Sequence, residues 1–243
     1  MILNIATFNI QNKYRLNKYN GIDKYGDHTK ELYNFIVNKN IDIIGVQELT
    51  KRYKDRLISI LGDNYKIFGK LRFRALTNII PIIKKYNETN SIITKHKVIS
   101  HKTHQLPFFP SIPRIITEAT IMIDSKRLCI LNTHLEVKNK KVKIRQLNYI
   151  FKLLKKKQNK FDNIILMGDF NSTIEDYYFQ EFINNLDKLG YKRVDICKPT
   201  HKCRNAPIDH IFVSNRCKIS DVDVFNNDNH ISDHKPIYVK LEI

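Results

Sequence analysis

Residues 2–8 alternate apolar with other side chains and are rich in Ile and Phe, the period-two signature of a strand. The polar stretch 11–27, with Gly21 and Gly26, reads as a loop. Leu32, Phe35, Ile36 and Val37 recur at helical spacing and predict a helix over 28–39. The apolar run from Ile41 to Val46 ends at Gln47-Glu48 and fits a buried strand, and a helix is expected over about 50–61. Strands at 65–69 and 90–95 flank a basic stretch, Lys70 to Lys85, to which the pattern assigns no element. Pro107, Pro110 and Pro113 forbid regular pairing and make that segment a rigid loop. Strands follow at about 115–123 and 127–133, with a turn at Asp124-Ser125. A helix over 140–157 carries Val142, Ile144, Leu147, Ile150, Phe151 and Leu154 as its apolar positions. Ile164 to Met167 reads as a buried strand ending at Gly168-Asp169, then a helix over about 176–188 and strands at 208–213, 218–225 and 236–242. Many strands with few helices, and a strand-helix-strand stretch in each half, predict two packed sheets with helices outside. A chain of 243 residues without a Gly/Ser-rich or Pro-rich linker is expected to form one domain, 1–243.

Charge changes this picture first. Lys and Arg number 42 against 24 Asp and Glu, a net charge of +18. Such an excess favours polyanionic partners: nucleic acid, nucleotides, phosphoinositides or an anionic membrane surface. Abundant Ile, Asn and Lys throughout the chain account for part of it. Cys129, in the apolar run Arg127 to Leu131, reads as a buried thiol. Cys197 and Cys203 with His201 match no zinc-finger spacing, and no Cys-x-x-Cys pair occurs. Met1 to Phe8 has no basic region and reads as a strand, not a leader. No apolar run approaches the ~20 residues of a membrane span. The expectation is a cytoplasmic, soluble protein, monomeric by default.

Chemistry-bearing residues gather where apolar runs end: Thr7-Phe8-Asn9, Gln47-Glu48, Asn132-Thr133-His134, Gly168 to Asn171, Ile208-Asp209-His210 and Ser232-Asp233-His234. A strand end delivers a polar group to the sheet rim from a rigid support. Each cluster alone is equally a turn or a helix cap; six of them after buried strands are not. The residue types fit one reaction. Glu48, Asp233 and Asn9 offer the hard oxygens that Mg²⁺ takes, and Mn²⁺ would serve in its place. Asp169 can orient and deprotonate a water. Asn171, His134 and His234 can donate to phosphoryl oxygens, and Asp209 can hold an imidazole in its donor tautomer.

These motifs, with Thr133 to Glu136, Ile208 to Ser214 and Ser232 to Pro236, resemble in order those of the endonuclease/exonuclease/phosphatase (deoxyribonuclease I-like) superfamily, over residues 7–236. The resemblance implies a four-layered α/β sandwich, two mixed and mainly antiparallel sheets face to face with helices outside, and a site at one rim. By position it makes Glu48 the principal metal ligand, with Asn9 and Asp233 beside it. Asp169 becomes the activator of the attacking water, Asn171 its partner, and His234 a phosphate contact paired with Asp209. His134 resembles a second histidine of the deoxyribonuclease and sphingomyelinase branches, and Glu88 the glutamate that supports it. Arg114 resembles an arginine that binds substrate phosphate. Abasic-site endonucleases place a tyrosine where this chain has Arg114 and use tryptophans near DNA, whereas this chain has no Trp. His210 departs from the pattern and receives no role.

Two substrate classes remain. A nuclease of low sequence specificity, on DNA or RNA, is favoured by the charge and by a basic helix with Lys138, Lys140, Lys141, Lys143, Arg145, Lys155, Lys156 and Lys157. Lys141 and Lys143 lie nearest the His134 motif and are the expected phosphate contacts. The alternative is a phosphatase or phosphodiesterase on a lipid or inositol phosphate, sphingomyelinase-like, with Phe108 and Phe109 on an apolar docking tip. A third class, a non-catalytic nucleic-acid-binding module, fits poorly with a full set of catalytic residue types.

Overall fold

The computed structural model describes residues 1–12, 24–73, 87–225 and 232–243, with side chains of 24–28 left aside. In the first half of the chain lie β1 (Ile2–Asn9), α1 (Lys24–Asn38), β2 (Ile43–Thr50), α2 (Lys51–Leu61), β3 (Lys66–Phe68), β4 (Glu88–Thr94), β5 (Lys97–Gln105) and β6 (Ile115–Ile123). The second half supplies β7 (Lys126–His134), α3 (Lys140–Lys157), β8 (Asn163–Asp169), α4 (Tyr177–Lys188), β9 (Tyr191–Arg193), β10 (Asp209–Ser214), β11 (Lys218–Val224) and β12 (Ile237–Glu242). The described strands form two six-stranded sheets, β11-β12-β1-β2-β4-β3 and β5-β6-β7-β8-β10-β9. Each has a parallel pair at its middle, β1 with β2 and β7 with β8, and antiparallel neighbours otherwise. A parallel pair needs a crossover, and α1 and α3 provide it.

Period-two alternation sorts the side chains into layers. Leu3, Ile5 and Ile43 of the first sheet meet Ile130, Ile165, Met167, Ile211 and Val213 of the second in one buried cluster. The opposite face of the first sheet packs Ala6, Phe8, Ile44 and Val46 on Leu32 and Ile36 of α1 and Tyr53 and Leu57 of α2. The opposite face of the second packs Leu131, Leu166 and Phe212 on Leu147 and Ile150 of α3 and Phe179 and Phe182 of α4. The result is the expected four-layered sandwich of helices, sheet, sheet and helices. Each large apolar side chain taken from water contributes roughly 1.5–3 kcal/mol. The sheets approach closely at Gly45, where a Cβ would stand 2.7 Å from Met167 Sδ. Near this point Gln47 Nε2 donates to Asn132 Oδ1 (2.6 Å) and Thr7 Oγ1 (3.0 Å), a polar bridge between sheets.

Two strands escaped the hydrophobic pattern. β5 is a largely exposed edge strand without an apolar face, and β9 has only three residues. The first helix begins at Lys24, inside the stretch read as a loop. The rest of that loop, 13–23, and most of the basic stretch, 74–86, lie outside the described residues. All four cysteines are free, and burial pushes the Cys129 thiol up to about 12. Among the described residues no helix is long and apolar enough to cross a membrane.

Candidate active site

Pleating decides which strand-end residues can meet. Leu3 and Ile5 of β1 face the other sheet, so Thr7 and Asn9 do too. The same parity turns His134 inward with Leu128 and Ile130, Asp169 with Ile165 and Met167, and Asp209 with Ile211 and Val213. Register does the rest: His134 lies beside Asp169 in the parallel pair, and Asp209 opposite Asp169 in the antiparallel one. Gly168 permits this closeness, since at its φ of 141° a Cβ would fall 2.0 Å from the Thr133 carbonyl oxygen.

Glu48 breaks the parity. Ile44 and Val46 point to the helices, and simple alternation would send Glu48 with them. The register instead shifts between Val46 and Leu49, and Glu48 takes a left-handed φ of 59°. Its carboxylate reaches the site side, where Oε2 accepts from the Asn12 N–H (2.6 Å) and Oε1 lies 3.9 Å from His134 Nδ1. Asn171 is likewise left-handed, at φ 48°. Its N–H donates to Asp169 Oδ1 (2.9 Å) and its side-chain amide to the Leu135 carbonyl (3.2 Å).

Asp169 is the hub. Asn9 Nδ2 donates to its Oδ2 (3.0 Å), with His134 Nε2 at 3.5 Å and His234 Nε2 at 3.6 Å from the same oxygen. Asp209 Oδ2 pairs with His234 Nδ1 at 2.8 Å. Asp233 accepts from Gln11 Nε2 at 2.8 Å. Burial, then the Asp209 charge, pushes Asp169 up to about 6. Burial works against a charged His234 ring, yet the Asp209 and Asp169 carboxylates outweigh it and raise the ring to about 10. For Asp233, burial is outweighed by the His201 hydrogen bond and the His234 charge, which hold it below the usual carboxylate range.

The donor set suits a divalent cation. Glu48, Glu88 and His134 form one group of converging ligand atoms; Asp169, Asp209 and His234 a second; His201, Asp233 and His234 a third. Within each group the atoms lie within 4.8 Å of one another. Asp209 Oδ1 is buried without a hydrogen-bond partner among the described residues. So many carboxylates close together, several of them buried, need positive charge.

The remaining expected residues take different positions. Glu88 is buried at the edge of the site, its carboxylate on Arg72 Nη1 (2.8 Å) and Asn12 Nδ2 (3.1 Å). Arg114 is buried, with Nε and Nη1 lacking partners among the described residues. Lys141 is exposed on α3. Lys143, expected as a phosphate contact, is not on the exposed basic face of α3. It lies on the stripe of α3 that holds Gln146, Leu147 and Ile150, and it is buried. Its ammonium donates to the Asn171 carbonyl and lies 3.4 Å from the Tyr178 hydroxyl, and burial lowers its proton affinity. His210 points away from the site into a box of Phe170, Phe179 and Phe212. Gln11, Asn12 and His201 were not anticipated as site residues; each follows or precedes a motif by a few positions and carried no periodicity to mark it.

Several solved structures share the whole fold. A Bacteroides thetaiotaomicron mannosyl-6-phosphatase superposes with a TM-score of 0.81 at 19% identity, covering 99% of this chain and 100% of its own. D. rerio TDP2 complexed with a single-strand DNA product gives 0.75 at 17%, covering 100% and 99%. The human Nocturnin catalytic domain with bound sulfate gives 0.76 at 14%, covering 99% and 94%. At these identities the likeness is one of fold. None of the curated proteins matches the sequence. Residues 6–234 match the family model described as Endonuclease/Exonuclease/phosphatase family, so the chain belongs to that family and is a hydrolase of phosphate esters.

Proposed function

We propose that this protein is a divalent-cation-dependent phosphodiesterase that cleaves nucleic acid, DNA in the first place and RNA as the alternative, without reading base sequence. The reading rests on the convergence of Asn9, His134 and His234 on one carboxylate oxygen of Asp169, in a chain of net charge +18. Glu48, Asn9 and Asp233 would hold Mg²⁺, with Mn²⁺ able to replace it; Glu48 converges with Glu88 and His134, and Asp233 with His201 and His234. When bound, the cation neutralises charge developing on the phosphoryl group.

The chain's own groups carry the proton work. Asp169, pushed up to about 6, accepts a proton from a water lined up against the phosphorus. The Asn171 N–H fixes the rotation of that carboxylate. His234, kept charged by Asp209, donates from Nε2 to a phosphoryl oxygen, and His134 Nε2 donates from the other side. The water oxygen bonds to phosphorus as the ester oxygen leaves. Arg114, a buried guanidinium near Glu136 whose Nε and Nη1 lack partners among the described residues, would bind a second phosphate. Glu88 keeps Asn12 in place, and Asn12 in turn holds Glu48. Family relatives by fold include a protein solved with a single-strand DNA product.

The alternative, a lipid or inositol phosphate, has one observation of its own: Phe109 is 77% exposed on the proline loop. The deciding experiment incubates purified protein with Mg²⁺ or Mn²⁺ on plasmid DNA, single-strand DNA, RNA, sphingomyelin vesicles and inositol phosphates. Nicking abolished by EDTA and by Asp169→Ala is expected. Intact nucleic acids together with a hydrolysed lipid or inositol phosphate would sink the nuclease reading.

A further inference from the structure

We propose that His201 is a positioning residue for Asp233: with Gln11 it occupies one carboxylate oxygen and leaves the other to the centre. The proposal rests on reading Asp233 as a cation ligand. Oδ2 accepts from Gln11 Nε2 at 2.8 Å, and His201 Nε2 faces the same oxygen at 3.5 Å. Oδ1 is the oxygen on the His234 side, 4.0 Å from Nε2. A carboxylate with two donors on one oxygen has its rotation fixed, and its other lone pairs are aimed in advance.

The tautomer of His201 follows from its other nitrogen. The Cys203 N–H donates to Nδ1 at 3.0 Å, so that nitrogen presents a lone pair. A neutral imidazole then carries its hydrogen on Nε2, the atom facing Asp233. This makes His201 a donor to the carboxylate, not a direct ligand. Its backbone is held as firmly as its ring. His201 pairs with His234 in an isolated bridge, with the Lys202 N–H on the Asp233 carbonyl (2.8 Å) and the Lys235 N–H on the Thr200 carbonyl (2.7 Å). Thr200 Oγ1 accepts from the N–H groups of Ile208 (3.1 Å) and Asp209 (3.2 Å). One clip thus joins the Asp209 strand to the Asp233 loop. The His201 ring meets the His234 ring edge-on, 4.7 Å between centroids.

Ring packing alone would also account for a histidine here, and two substitutions separate the roles. His201→Phe keeps an aromatic ring against His234 and removes the donor. His201→Gln keeps a donor near the Nε2 position and removes the ring. The readout is Mn²⁺ affinity of the full chain, from the electron paramagnetic resonance signal of free Mn²⁺, with thermal unfolding as a check on folding. His201→Phe is expected to weaken Mn²⁺ binding roughly 10–100-fold, and His201→Gln to recover most of the loss. Gln11→Leu removes the other donor to Oδ2, should weaken binding in the same direction, and serves if the Phe variant does not fold. Unchanged Mn²⁺ affinity in His201→Phe or Gln11→Leu overturns the proposal, as does equal loss in the Phe and Gln variants. A wild type that binds Mn²⁺ tightly yet cleaves no nucleic acid overturns the nuclease reading and leaves the affinity comparison intact.

Discussion

On one face of β10, Asp209 reaches His234 at 2.8 Å; on the other, its neighbour His210 sits among phenylalanines with Nε2 on the Ser172 carbonyl at 2.8 Å. Both imidazoles are buried. Burial is the largest influence on each and favours the neutral ring. Around His234 three carboxylates reverse that preference and carry the ring up to about 10; around His210 no carboxylate does, and the ring falls to about 4. One peptide unit therefore separates the carboxylate that keeps one histidine charged from a second histidine built to avoid charge. The lesson is that depth alone assigns no role to a buried histidine; the charge on its neighbours does.

Removing that charge should have the largest effect. Asp209→Asn is expected to lower the His234 value, read by NMR titration, and to reduce the hydrolytic rate by about 10²–10⁴. An unchanged rate would show that the Asp209–His234 pair is structural only. The next effect is on stability. The folded value of His210 lies below its ordinary 6.5, so the unfolded chain binds more protons between about pH 6.5 and 4. Its contribution is fully present above that window and is lost as the pH falls through it. On the order of 3 kcal/mol should go, measured as the difference in urea stability between wild type and His210→Phe at pH 7 and pH 4. Parallel pH profiles for the two proteins would refute the assignment. His234 has the opposite sign: its contribution is complete below 6.5 and lost as pH rises through about 10.

Smaller effects test the two lysines of α3. Lys143→Ala removes a charged hydrogen bond from the Asn171 carbonyl and should cost about 10–100-fold in kcat with KM little changed. Lys143→Arg should recover part of it; a loss confined to KM would return Lys143 to the substrate surface. Lys141→Glu, on the exposed side, should leave kcat alone and reduce the salt dependence of DNA binding by about one unit of slope. An identical salt profile would remove this part of the helix from the binding surface.

The contrast also explains what the sequence could reveal. Strand parity and strand-end motifs made Asn9, His134, Asp169 and Asp209 legible, because a pleated strand places alternate residues by rule. Glu48 arrived by a different route, a bulge and a left-handed backbone that no alternation encodes. His210 stayed unassigned because two of the rings around it, Phe170 and Phe179, are distant in the chain; only Phe212 is a neighbour on its own strand. The burial of Lys143 was not legible for a plainer reason: a lysine counts as polar in any pattern, although it stands on the buried stripe of its helix. β5 was missed because an exposed edge strand needs no apolar face.

Finally, β1 lies between β2 and β12, paired from Ile2 opposite Glu242 to Thr7 opposite Ile237. Asn9 ends that strand, and His234 just precedes its partner. The two strands are far apart in the sequence, so their pairing closes a long loop and carries the entropic cost of doing so. The centre is therefore complete only when two strands distant in the sequence have paired, and its geometry inherits the cooperativity of the whole sheet.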